Sequence, residues 1–139
     1  MVQLIVGRKG KGKTKSLLDK VNSEVRNVSG NIVYLDKSTE HMFELNNRIR
    51  LICVPEYGID NTDQFLGFVS GILSQDHDLQ QMYFDSFLKI SLIGEGDLTP
   101  ALDKLRALSD KFHVDFILSV SRDENELPEA AKALITVAL

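Results

Sequence analysis

Apolar residues fall into short runs and spaced stripes that alternate along the chain. Val2-Gln3-Leu4-Ile5-Val6 has the compactness of a buried strand. From Lys13 onward, Leu17, Leu18, Val21, Val25 and Val28 recur at helical spacing, and Gly30 is placed to end that helix. Asn31 to Leu35 returns to a strand with Asp36 at its carboxyl end, and Thr39 to Leu45 has the length of a short helix. Ile49 to Val54 is a further apolar strand, stopped by Pro55 and Gly58. Residues 62 to 75 carry Phe65, Leu66, Phe68, Val69, Ile72 and Leu73 as a helical stripe. Leu79 to Phe84 reads as a strand ending in Asp85. Thr99-Pro100 opens a helix continued by Leu102, Leu105, Leu108 and Phe112. Val114 to Val120 is a strand, Pro128 opens a short helix, and Leu134 to Leu139 is a last strand. Strands alternating with helices predict a parallel sheet covered on both faces, a three-layer α/β/α sandwich. With no repeat, linker or low-complexity tract, residues 1–139 are expected to form one domain.

Between the first strand and the first helix lies Gly7-Arg8-Lys9-Gly10-Lys11-Gly12-Lys13-Thr14, which satisfies G-x-x-x-x-G-K-[ST] without a gap. Each residue type has a physical reason. The glycines let the backbone approach phosphates closely, and successive N–H groups form an anion nest at the positive end of the following helix. The Lys13 ammonium is suited to the β- and γ-phosphates, and the Thr14 hydroxyl to Mg²⁺. ATP with Mg²⁺ is the expected ligand, bound by Gly7, Arg8, Lys9, Gly10, Lys11, Gly12, Lys13, Thr14 and Lys15. The metal also needs a carboxylate at another strand end. Asp85 is the candidate, since sheet geometry brings strand carboxyl ends to one crevice. The alternative is a solvated aspartate that caps whatever follows.

Charge sharpens this picture. The 139 residues are 43% hydrophobic and 26% charged, the balance of an ordinary soluble protein, with a net charge of −4. Five of the sixteen basic residues lie between positions 8 and 15, so the rest of the chain sets eleven against twenty acids. A cationic focus on an acidic body suits one small anionic ligand, and nucleic acid, which favours an extended basic stripe, is not expected as a partner. No apolar run is long enough to cross a bilayer, and Val2 to Val6 runs at once into a glycine and a basic cluster, unlike a secretory leader. The single cysteine, Cys53, lies in an apolar run and is expected to be a buried, inert thiol. A cytoplasmic address fits these features.

On these residues the chain resembles the P-loop NTPases, and within them the RecA-like ATPases. Gly7 to Thr14 is similar to Walker A and Tyr83-Phe84-Asp85-Ser86 to Walker B. The resemblance implies ATP hydrolysis and a site completed between subunits of a homo-oligomer. It also implies a catalytic glutamate after the strand Val33-Tyr34-Leu35-Asp36, where Glu40 matches at a longer offset. A polar sensor is implied after the strand that follows Walker B, at Ser119, Ser121 or Arg122. Two features depart from the pattern. Serine follows Asp85 where many motor ATPases have glutamate, and residues 86 to 98 are apolar and acidic, with no DNA-gripping insertion. Lys9 to Thr14, with Ser121-Arg122 and Glu126 to Ala131, also resembles the P-loop corrinoid adenosyltransferases, which use ATP to adenosylate a cobalt corrinoid.

The smaller signals each have two readings. Glu40 orients water or is simply exposed, with Glu56 a weaker contender. Arg122 touches a γ-phosphate, in cis or across a subunit contact, or is solvated. Tyr34, Tyr57 and Tyr83 stack on a base or fill the core. His41, His77 and His113 share no ligand spacing with one another or with Cys53, so no zinc site is expected. Catalysis is thus expected from Lys13, Glu40 and Arg122. Three classes of function remain: a small ATPase, a nucleotide-binding regulatory module with little turnover, and a P-loop transferase.

Overall fold

A computed structural model describes residues 1–139. Six strands, β1 (Val2–Val6), β2 (Asn31–Asp36), β3 (Ile49–Cys53), β4 (Leu79–Phe84), β5 (Asp115–Val120) and β6 (Ile135–Ala138), form one sheet in the order β3-β2-β4-β5-β1-β6. All five strand pairs are parallel. Parallel neighbours need crossovers, and helices α1 (Lys13–Glu24), α2 (Thr62–Gln75), α3 (Phe87–Ile90), α4 (Thr99–Phe112) and α5 (Glu129–Lys132) lie in the connections.

Side chains alternate across a strand with period two, and here that period sorts the core into two layers. Leu4, Val6, Val33, Leu35, Met82, Phe84, Phe116, Leu118 and Val120 face α2 to α5 in a cluster of 28 buried residues. Ile5, Ile32, Tyr34, Tyr83 and Ile117 face the other way and meet Leu17, Leu18, Val21 and Val25 in a cluster of ten. α1 therefore covers one face and the remaining helices the other. By the same alternation Asp36, beyond Tyr34, Asp85, beyond Tyr83, and Ser119, beyond Ile117, end on the α1 side at the carboxyl edge.

Three local expectations change. The first helix ends at Glu24, with Val25 still bonding back to the Val21 carbonyl, six residues before Gly30. Gly30 has another role: a Cβ there would lie 2.1 Å from the Asp78 carbonyl oxygen, so the chain needs glycine where it passes that backbone. Thr39 to Leu45 contains only a 3₁₀ turn at Met42–Glu44, without a buried residue to anchor a longer helix. Cys53 is half-buried, not enclosed, and burial pushes its thiol pKa up, so it is not primed as a thiolate. The turn α3 adds a short helix after Asp85 that the apolar pattern does not single out. No helix is long and apolar enough to cross a membrane.

Candidate functional site

The segment from Gly7 to Gly12 turns the chain from β1 into α1. Gly10 and Gly12 have φ of 88° and 95°, a left-handed backbone that disfavours any side chain, and a Cβ at either would meet nothing within 4 Å. The loop is anchored where the Gly7 N–H donates to the Val120 and Arg122 carbonyls, at 3.3 and 3.0 Å. Gly12 caps α1 with no side-chain hydrogen bond, and the first turn holds no acid but does hold Lys13 and Lys15. Free amides, the positive end of the helix dipole and the Lys13 ammonium are thus together without an acid in the first turn, while Lys15 is paired with Asp19 one turn on. That combination favours an anion. Lys13 is only 7% exposed, and its ammonium donates to the Arg8 carbonyl at 3.0 Å. Burial lowers its pKa, and the opposing pull of Asp85 does not fully offset that.

Asp85 directly follows β4, two strands from the loop, and is 2% exposed. The Thr14 hydroxyl donates to its Oδ1 at 3.1 Å, and the Tyr34 hydroxyl donates to its Oδ2 at 2.7 Å. Ser119 Oγ lies 3.2 Å from Oδ1 and accepts the Ser86 N–H at 2.8 Å. Burial, then the charge of Asp85, raises the Tyr34 phenol pKa far above the range where it would ionise, so it stays a donor. The carboxylate is held in one orientation against Thr14. A hydroxyl and a carboxylate oxygen in contact at a loop of free amides are the hard oxygen donors that Mg²⁺ takes. Ser86 turns the chain with φ of 56°, an uncommon conformation for serine, directly after Asp85.

Asp36 ends β2, the neighbour of β4, and is 1% exposed. Its Oδ1 accepts the Lys37 N–H at 2.7 Å, while Oδ2 is the one buried side-chain polar atom without a partner. Burial, together with the charge of Asp85, pushes its pKa up to about 6. The sequence marks Asp36 only as a strand end. Its orphan oxygen is visible solely in three dimensions.

A cavity of about 640 Å³ opens at this edge, walled by Lys9, Gly10, Gly12, Lys13 and Thr14 on one side and by Lys37, Asp85 and Lys89 among others. Ser119 and Ser121, two of the three sensor candidates, line it. Other candidates lie elsewhere. Arg8 is drawn to Asp123 and Glu126, at 2.8 and 2.7 Å, and Lys15 to Asp19 at 3.0 Å. The Arg122 guanidinium donates to the Gly94 and Gly96 carbonyls at 3.0 and 2.6 Å and lines a neighbouring pocket with Arg8. Gly7 and Lys11 do not line the cavity. Glu40 is exposed, lies 3.3 Å from His41, and lines an adjoining cavity of about 520 Å³. Tyr34 and Tyr83 stack on each other in the core with centroids 6.2 Å apart, and Tyr57 lines a third pocket with Glu56 and Cys53. Lys37 and Lys89 are the charged lining residues that motif analysis passes over. Their only sequence signal is a cation one residue after Asp36 and another four after Asp85.

No protein-family model matches the chain, and no curated protein matches it in sequence. Its fold is similar to that of the flagellar accessory protein FlaH from Methanocaldococcus jannaschii, with a TM-score of 0.57 at 15% sequence identity. The likeness covers 95% of this chain and 65% of that one, so the chain spans just under two thirds of FlaH. The fold is a three-layer α/β/α sandwich with a fully parallel sheet, shared with FlaH.

Proposed function

We propose that this protein binds Mg-ATP at the carboxyl edge of its sheet and turns it over slowly. The observation that carries this reading is the contact of Thr14 with the buried, doubly braced Asp85 at the mouth of an uncapped, lysine-bearing helix. In it, the loop amides and Lys13 bind the polyphosphate, and Thr14 with Asp85 holds the metal. A bound Mg²⁺ supplies charge neutralisation along the phosphates. Tyr34 and Ser119 keep Asp85 from rotating away. The similarity to FlaH speaks to the fold, on which such a site is built.

Slow turnover follows from the carboxylates. Asp85 is the sole acid lining the phosphate cavity, and it is occupied by Thr14 and Tyr34. Glu40 remains the candidate for orienting an attacking water, from the adjoining cavity, and Arg122 contributes only by leaving the two glycine carbonyls it now binds. Catalysis of this reaction rests on positioning and charge, and both groups stand off from the phosphates. A regulatory module that reports nucleotide occupancy is therefore the favoured form of this function. Adenosyl transfer to a corrinoid is the less supported form, because Arg122, which carries part of that resemblance, is engaged elsewhere.

Calorimetric titration of Mg-ATP into wild type and Lys13→Ala tests the site, followed by product analysis. Lys13→Ala is expected to weaken Mg-ATP at least about tenfold with an unchanged melting temperature, since one charge-assisted contact is removed. Equal affinities, or no heat from wild type with any common nucleotide, would remove the site. A product other than ADP and phosphate would move the protein to the transferases.

A further inference from the structure

Two cavities meet at this edge of the sheet, one of about 640 Å³ behind the glycine loop and one of about 520 Å³ beside it. Only two residues line both: Lys37, one position past the end of β2, and Lys89, in α3. They form the partition between the cavities. Neither ammonium has an ion-pair or hydrogen-bond partner within the chain, although Asp36 and Glu40 are near in sequence to Lys37. Among the other basic side chains near the site, Arg8 is engaged by two acids, Lys15 by Asp19 and Arg122 by carbonyls, while Lys9 is free but belongs to the glycine loop on the opposite wall.

Position along the sheet separates these lysines from the glycine loop. The loop leaves β1, while Lys89 follows β4, two strands away, and Lys37 follows β2, three strands away. At about 4.8 Å per strand these ends lie about 10 and 14 Å from the strand that carries the loop. A polyphosphate cradled by the loop amides would extend across that gap, so the partition lies at its far end. Charge points the same way. Two buried carboxylates, Asp36 and Asp85, lie at the ends of neighbouring strands beside the cavity, where a polyanion would meet repulsion that the loop lysines, Lys9 and Lys13, offset only from the opposite wall. Two unpaired ammonium groups on that wall supply the missing cations.

Resting on the nucleotide site proposed above, we propose that Lys37 and Lys89 bind the terminal phosphate of the nucleotide from the wall built by β2 and β4. They make this chain's own cation pair, in the role that an arginine supplied by a neighbouring subunit would otherwise fill. The site then tells a triphosphate from a diphosphate within one chain. The loop holds the phosphates common to both nucleotides, and the lysine pair meets only the third.

Titration of Mg-ATP and Mg-ADP into wild type, Lys37→Ala, Lys89→Ala, the double variant and the remote control Lys104→Ala tests this. Each single variant is expected to weaken Mg-ATP about tenfold, equivalent to 1.4 kcal/mol, while Mg-ADP changes less than about twofold. The double variant should lose the preference for triphosphate, Lys37→Arg and Lys89→Arg should keep it, and all should melt with wild type. A double variant that binds Mg-ATP as wild type does would overturn the proposal. So would a parallel loss of both nucleotides, or an equal effect in Lys104→Ala, since either signals charge or structure acting generally. Those results leave nucleotide binding itself standing. Wild type that binds neither nucleotide fails at the earlier step and takes the lysine pair with it.

Discussion

Replacing Asp36 with asparagine should make the protein more stable at neutral pH. Asp36 is 1% exposed, Oδ2 has no partner, and Asp85 lies beside it on the neighbouring strand. Burial and that neighbour carry its pKa from 3.8 to about 6. In the unfolded chain it titrates near 3.9. Below about pH 4 both states carry the proton and the group contributes no penalty. Between about pH 4 and 6 the unfolded chain gives up the proton while the folded one keeps it, so stability falls as pH rises. Above about pH 6 both are ionised and the full penalty persists. A displacement of about two pH units at 1.36 kcal/mol each sets its size at up to about 3 kcal/mol. Asparagine keeps the acceptor for the Lys37 N–H and places a donor where an unpaired oxygen stood beside Asp85. Urea unfolding of wild type and Asp36→Asn across pH 4 to 8 measures the effect, with the difference between the two curves isolating this group. The variant is expected to gain about 1 to 3 kcal/mol at pH 7 and to lose the decline between about pH 4 and 6. A variant less stable than wild type at pH 7, or one whose profile runs parallel to it, refutes the reasoning.

Tyr34→Phe removes one of the two braces on Asp85, the 2.7 Å hydrogen bond to a buried carboxylate. A loss of about 2 kcal/mol is expected by urea unfolding, with Mg-ATP affinity lowered as well; an unchanged unfolding midpoint would count against the brace. Gly30→Ala builds a Cβ at 2.1 Å from a backbone oxygen and is expected to destabilise by more than about 2 kcal/mol. Thermal melting reads this directly, and a neutral outcome would show that the strand start at Asn31 moves freely.

Much of the fold was legible because two patterns carry it. Continuous apolar runs in Ile32-Val33-Tyr34-Leu35 and Met82-Tyr83-Phe84, buried on both faces of the sheet, and helical spacing in Leu17 to Val25 each record a burial pattern that the folded chain keeps. The glycine loop was legible for a different reason: its chemistry needs contiguous residues, so the motif is local. Asp85 could be named because it ends an apolar strand. What local pattern cannot show is which partner wins a side chain. Arg8 and Arg122 read as phosphate ligands from the sequence, yet acids and carbonyls more than a hundred or about thirty positions away hold them. The converse applies to Lys37 and Lys89, ordinary surface cations in sequence that the crossovers bring to one wall. Gly30 misleads because a glycine needed for close approach looks identical to one that stops a helix.

The helix that begins with the glycine loop is also the one helix in the smaller cluster of the core, where Leu17, Leu18, Val21 and Val25 close over the paired tyrosines. Grip and roof are one rigid piece. On the nucleotide site proposed above, a guest seated at its first turn would fasten a whole side of the molecule, and loosening that side would disturb the loop. Occupancy would then be felt through the body of the protein without a separate flap.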